Sequence, residues 1–313
     1  STERILHMTI LVFGHKSPDT DSTGSPIIWA WYLNEIKGQK AEAVLLGEPN
    51  TEAAFVINHW NCPKPRIVTE VADGTKAVIV DTNNPAELPA NVNTLDVLAI
   101  IDHHKLVGAL ETKGPIDITV RPLACTATIM HDLMGVDAQN MPDWVKGLML
   151  SCILSDTLEF RSPTTTSHDK ALAEKLAREL NVDIADYAAA MFEAKSDVGA
   201  FSDAELLRMD SKEYTIDGKE FRVSVLETTA PKLVLDRKAS LMAAMDGVAK
   251  EDGADQVLLF VVDILREEAT LLVPNDLVKR IAEASFGAKV SGDTVVLPGV
   301  MSRKKQIIPV LKL

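Results

Sequence analysis

The sequence predicts an α/β protein of two domains. The first carries a parallel sheet with helices on both faces, and the second is a smaller α/β unit. Three observations carry the prediction. At 313 residues the chain is long for one domain. Short β-branched runs alternate with helical patterns through the first half, the order that builds a parallel sheet. These runs are apolar without alternation, as suits strands buried on both sides.

The strand runs of the first half are "TILVF" (9–13), "AEAVLL" (41–46), "AVIV" (77–80) and "VLAII" (97–101). Helical patterns lie between some of them, at residues 22–37 and 51–58. After residues 117–120 the pattern turns helical. Apolar residues recur three or four apart over 126–134, 142–156, 167–180 and 183–192, with Asn181 as a stop signal. The first domain is expected over 1–193. Residues 194–203 are polar, without a strong period, and read as a linker. The second domain, 204–313, mixes strands ("EYTI", "FRVSVLE", "QVLLFVVDI", "ATLLV", "TVVL", "QIIPVLKL") with helices near 239–250 and 277–285. "IDGK" (216–219) reads as a hairpin turn.

Composition narrows the function. Hydrophobic residues at 46% and charged residues at 25% are globular proportions. A net charge of -13 disfavours nucleic acid as a partner, because phosphate backbones call for a surplus of Lys and Arg. A small anion held by a few focused cations stays open. Cys62, Cys125 and Cys152 are too scattered for a zinc knuckle, so reduced thiols in a cytoplasmic protein are expected. The longest apolar run, "VLLFVVDIL" (257–265), carries Asp263 and falls short of the ~20 residues that span a bilayer, so no membrane partner is expected. "STERILHM" has neither a basic nor an apolar region of the signal-peptide kind, and no signal peptide is expected.

The chemistry concentrates at strand ends. "GHKSPDTDS" (14–22) follows the first strand and supplies His15, Asp19 and Asp21. "KAVIVD" ends in Asp81, and "LAIIDHH" in Asp102, His103 and His104. Ligands of open parallel sheets bind beyond the carboxyl ends of strands. Crowded acids raise each other's pKa, so a cation is expected among them. A mixed carboxylate and imidazole set suits Mn²⁺, Co²⁺, Fe²⁺ or Zn²⁺. An EF-hand reading of Asp19, Asp21 and Thr23 fails at position twelve, where Ala30 stands instead of Glu. A plain helix cap at Asp19 is the other bland reading. Asp156 ends the apolar helix of "LSCILSDTLEF", at the unfavourable negative pole of the dipole, which again calls for a cation. His7, His59, His131 and His168 lack acidic company at strand ends and read as structural or exposed. A basic run such as 303–305 is ordinarily a solvated face. Here it sits between the turn "LPGVMS" and the expected strand "QIIPV", where phosphate contact is feasible. No P-loop element occurs.

The segments "GHKSPDTDS", "VDTNN", "DHH" and "SD" resemble the DHH phosphoesterase superfamily. With "CTATI", "DSKEY" and "SRKKQ", nearly the whole chain is similar to the family II, manganese-dependent inorganic pyrophosphatases. DHH exonucleases and oligonucleotide phosphodiesterases tend to carry a GGGH-type motif, which does not occur here. The resemblance implies two metals per subunit, Mn²⁺ or Co²⁺, with further Mg²⁺ or Mn²⁺ arriving with pyrophosphate. His15, Asp19 and Asp81 would hold the first metal. Asp21, Asp81, His103 and Asp156 would hold the second. His104 would face the phosphate, and Lys212, Arg303 and Lys304 of a DHHA2-type second domain would grip the substrate at a site between domains. Homodimers joined through the first domain are also implied. Two metals roughly 3.5–4 Å apart can hold a bridging hydroxide and clamp an in-line displacement at phosphorus. The family often has Asp-His-Asn where this chain has Asp81, Thr82 and Asn83. The rival readings are another DHH phosphoesterase, such as an exopolyphosphatase or oligonucleotide phosphodiesterase, and a non-enzymatic nucleotide-sensing module.

Overall fold

The structure, a computed structural model, describes residues 8–313. His7 and the start of the stretch read for a signal peptide lie outside the described residues. The chain divides into two compact units, Ser1–Ala194 and Lys195–Leu313.

The first unit holds five parallel strands: β1 (Ile10–Phe13), β2 (Ala41–Ala43), β3 (Lys76–Val80), β4 (Asp96–Asp102) and β5 (Asp117–Val120), in the order β2-β1-β3-β4-β5. Successive side chains of a strand point to opposite faces, and both faces here are apolar. Ile10, Val12, Val78, Val80 and Ile101 face one core, while Phe13, Ala77, Ile79, Val97 and Ile100 face another. Helices α1 (Thr20–Glu35), α2 (Thr51–His59), α3 (Thr126–Met134), α4 (Asp143–Thr157), α5 (Ser167–Leu180) and α6 (Ile184–Lys195) all contribute to the first core. The second is closed by Val68, Val71, Leu88, Val92 and Leu95, and the helices expected there are two 3₁₀ turns, Pro85–Glu87 and Val92–Thr94. Between β3 and β4 these short turns and the loop around them cover that face.

Local chemistry sets the ends of these elements. Asp19 caps α1 by accepting from the Ser22 N–H at 2.9 Å. Thr166 and Asp169 form a capping box on α5, and Asn181 ends it in the left-handed conformation at φ 54°. Gly14 lies against Ser22 so closely that a Cβ would meet the Ser22 Oγ at 2.7 Å. That contact draws the start of α1 onto the end of β1. Among the described residues no helix is long and apolar enough to cross a membrane.

The second unit is a mixed sheet ordered β10-β9-β8-β7-β6, with β6 (Ser211–Ile216), β7 (Lys219–Thr228), β8 (Gln256–Asp263), β9 (Glu268–Leu272) and β10 (Thr294–Pro298). Only β7 and β8 run parallel. The β6–β7 turn places Asp217 at φ 49° and Gly218 at φ 80°, the geometry of a tight hairpin. Helices α7 (Asp203–Met209), α8 (Pro231–Leu235) and α9 (Lys238–Glu251) cover one face through Leu206, Val234, Leu241 and Met245. On α10 (Asp276–Phe286), Phe286 meets Phe260 of β8 edge-on.

Two expectations change here. The "QIIPV" strand is instead a π-type turn, Arg303–Ile307, followed by further turns. Ser302 caps it by accepting from the Lys305 N–H, and Pro309 has no N–H to give to a ladder. Helix α7, unanticipated, starts inside the stretch read as a linker, where Ser202 and Glu205 form a capping box.

Candidate metal centre

β1 and β3 adjoin where the chain reverses its direction of travel across the sheet, the usual ligand crevice of parallel sheets. His15 and Asp19 follow β1, Asp81 follows β3, and Asp102 closes β4 ahead of His103 and His104. Asp21 sits in the first turn of α1 and Asp156 in the last turn of α4.

Asp81 is the hub. Its backbone is left-handed (φ 61°), a conformation that Asp and Asn tolerate better than most residues. Its carboxylate accepts from the Ser22 hydroxyl at 2.6 Å and the Thr126 hydroxyl at 3.1 Å. The His103 Nε2 lies 3.1 Å away and the His15 Nε2 3.7 Å. Asp21 accepts from the Ser25 hydroxyl, the Thr126 N–H and the Cys125 thiol. The His103 Nε2 also stands 3.7 Å from Asp21 and 3.6 Å from Asp156. Donor atoms of His15, Asp19 and Asp81 gather within 4.8 Å of one another, as do those of Asp21, Asp81, His103 and Asp156, and those of Asp81, His103 and His104.

The cluster crowds four carboxylates around the His15 and His103 imidazoles. Burial, then the charges of Asp21 and Asp19, push the Asp81 carboxyl well above the usual range. Burial and the same crowding raise Asp156. For Asp21, burial works upward, but the His103 charge and surrounding hydrogen bonds outweigh it and hold the group down at about 2. Burial would lower His15, but its bond to Asp19 and the nearby carboxylates lift it to about 9.

The donor set fits divalent cations on three counts. Imidazole with carboxylate suits metals of the Mn²⁺ class. The His103 Nδ1 meets the Leu123 carbonyl at 3.1 Å, so a proton held there leaves Nε2 free to ligate. One oxygen of Asp156, Oδ2, is buried without a hydrogen-bond partner among the described residues, as is expected of a ligand oxygen.

His104 differs from its neighbour. Its side chain is half exposed, and its Nδ1 lies 2.7 Å from Asp102, a fully buried carboxylate. That bond raises the His104 pKa against the pull of burial. Asn83 donates to Asp102 at 2.7 Å and to the Lys105 carbonyl, and accepts from the Val107 N–H, which fixes the loop that carries His104. Thr82 is buried and donates to Glu87 at 2.8 Å. The three cysteines are free thiols. Of the other histidines, His168 pairs with Asp132 and His59 stacks among Trp60 and Tyr187.

In the second unit, Arg303 is not a solvated base. It donates to the Asp210 carbonyl at 2.8 Å and the Asp210 carboxylate at 2.9 Å. Lys212, two residues on from Asp210, is exposed on β6 opposite Val223. Lys304 is exposed. Gln306 braces the loop by accepting from Met301 and Ser302 N–H groups and donating to the Gly299 carbonyl. Sequence reasoning assigned no role to Ser22, Asn83, Thr126 or Gln306. Ser22, Asn83 and Thr126 act through hydrogen bonds to residues far along the chain and Gln306 through bonds within its own loop, and only their nearness to the acidic and basic motifs hinted at them.

Residues 9–155 match the family model "DHH family, N-terminal domain", and residues 189–313 match "DHHA2 domain". A protein of Deinococcus radiodurans named "Probable manganese-dependent inorganic pyrophosphatase" is 40% identical over 308 residues, covering 97% of this chain and 98% of its own. One of the same name from Lactobacillus helveticus is 35% identical over 302 residues, covering 96% of each. Among solved structures, the "putative family II inorganic pyrophosphatase" of Methanococcus jannaschii superposes with a TM-score of 0.71 at 33% identity, covering 96% of this chain and 98% of that one. Acid and histidine motifs, two matched domains and near full-length identity agree: the chain belongs to the family II, manganese-dependent inorganic pyrophosphatases of the DHH superfamily.

Proposed function

We propose that the protein hydrolyses inorganic pyrophosphate to two phosphates with two Mn²⁺ or Co²⁺ ions per subunit, and that further Mg²⁺ or Mn²⁺ enters with the substrate. The observation that carries this reading is the sharing of Asp81 by the donor groups, with a buried Asp156 oxygen in one of them that no hydrogen bond satisfies among the described residues. His15, Asp19 and Asp81 would hold one ion; Asp21, Asp81, His103 and Asp156 would hold the other. When bound, such ions polarise phosphoryl oxygens and make coordinated water acidic enough to attack near neutral pH.

The chain's own groups do the rest. Ser22 and Thr126 hold the Asp81 carboxylate in place, and the Leu123 carbonyl orients the His103 ring through Nδ1, which would leave Nε2 as the ligating atom. Asp102 orients His104, whose protonated form presents an N–H at Nε2 to the leaving phosphate. Lys212, Arg303 and Lys304 are assigned to the phosphate charge, with Arg303 pre-aimed by Asp210. Neutralising charge that builds on transferred and leaving groups is where such cations act most. The same reading makes the protein a cytoplasmic homodimer joined through the first unit.

The test is phosphate release from pyrophosphate, tripolyphosphate and a short RNA, with and without Mn²⁺. Preferred turnover of pyrophosphate supports the reading. Preference for tripolyphosphate or RNA would move the protein to another DHH phosphoesterase activity. Sedimentation of the full chain tests the dimer.

A further inference from the structure

Glu52 lies in the first turn of α2, 1% exposed, and belongs to neither donor group of the metal centre. One of its oxygens, Oε1, accepts two hydroxyls. The Thr20 hydroxyl donates to it at 2.6 Å, and the Ser155 hydroxyl donates to it as well. Thr20 sits between Asp19 and Asp21, and Ser155 immediately precedes Asp156. The two hydroxyls therefore belong to the segments that deliver three of the candidate ligands, one at the start of α1 and one at the end of α4. The other oxygen, Oε2, is buried with no hydrogen-bond partner among the described residues.

A buried carboxylate with one bare oxygen is costly unless positive charge compensates it. Two hydroxyls supply geometry but not charge. The positive N-terminal end of α2 offsets part of the charge, and the metal centre, whose ligand-bearing segments Glu52 holds through Thr20 and Ser155, is where the rest would be met. We propose that Glu52 is a positioning residue of the metal centre: it ties the α1 start to the α4 end, and its charge favours the cations without taking a coordination place. The inference rests on the metal reading given above. Partners of ligating groups commonly change metal affinity 10- to 100-fold when removed.

Charge and geometry separate by substitution. Glu52→Gln keeps an oxygen for Thr20 and Ser155 and removes the charge. Glu52→Ala removes both. The measurements are Mn²⁺ affinity by calorimetry on the full chain and the melting temperature of the metal-free protein. Glu52→Gln should weaken Mn²⁺ binding about tenfold without lowering the metal-free melting temperature, because an uncompensated buried charge has gone. Glu52→Ala should weaken binding by up to about 100-fold. A merely structural brace would leave Mn²⁺ affinity unchanged in Glu52→Gln and show itself only as a lower metal-free melting temperature in Glu52→Ala; unchanged affinity in Glu52→Gln overturns the proposal. Should Glu52→Ala fail to fold, the Glu52→Gln result decides alone. Wild-type protein that binds no Mn²⁺ would instead sink the metal reading itself, so the two failures are distinguishable.

Discussion

Replacing Asp81 by Asn is the sharpest test of a shared ligand. Asn fits the same volume and tolerates the left-handed backbone at φ 61°. It keeps an oxygen for the Ser22 or Thr126 hydroxyl. What it loses is one negative charge that stands within both donor groups. At ~4 Å and an effective dielectric constant of ~20, a pair of unit charges is worth about 4 kcal/mol. Against a divalent ion the lost charge is worth about twice that, so each ion should bind at least about a thousandfold more weakly, even with the amide oxygen still in place. The metal-free protein should move the other way. Asp81 is buried and repelled by Asp21 and Asp19, so removing its charge should raise the metal-free melting temperature. Mn²⁺ calorimetry and differential scanning calorimetry on the same preparations would read both effects. Two ions bound at wild-type affinity, with near wild-type turnover, would refute the bridging assignment.

Substitution of the paired histidines should separate their roles. His103→Gln should lose an ion by metal analysis, whereas His104→Gln should keep metal stoichiometry and lower kcat; equal metal loss in both would show the pair was misassigned. Arg303→Ala should leave Mn²⁺ binding intact and lower kcat/KM by about thirty- to a thousandfold, equivalent to ~2–4 kcal/mol of transition-state binding, and unchanged steady-state kinetics would remove Arg303 from the substrate. His131 carries a pKa lowered by burial and by Lys175, so its neutral form is favoured in the fold. The unfolded chain then takes up more protons below pH 6.5, and stability is lost as the pH falls through that value. His131→Gln should flatten this part of the curve in denaturant titrations from pH 7 to 5, and identical slopes would remove His131 as its source.

Several donor residues were readable because acids and histidines stand together just past apolar runs, where strand ends fix their places. His15, Asp81 and His103 each follow an apolar run, and the sheet order brings those ends side by side. What fixes the donors was not readable. The partner of the His103 Nδ1 is a backbone carbonyl at Leu123, twenty residues on, which any residue type would supply. Periodicity shows that a face is apolar, not what covers it: over residues 81–95 the second face is met by two 3₁₀ turns and a loop rather than by a long α-helix. At "QIIPV", Ile307 and Ile308 have strand propensity, yet the Ser302 hydroxyl and the Gln306 carboxamide close a turn around them. Local hydrogen bonds outweighed a weak β preference.

The bonds that hold Asp21 also carry information about folding order. Its partners Cys125 and Thr126 are 104 and 105 residues further along the chain, and Asp156 comes later still. Contacts of that sequence separation close late, because the loop entropy must be met before they contribute. A nascent or partly folded chain that ends before α4 would hold His15, Asp19, Asp21, Asp81 and His103 but lack Asp156. A cation that needs both groups would bind only after the first unit is complete, and would slow its unfolding without speeding its folding.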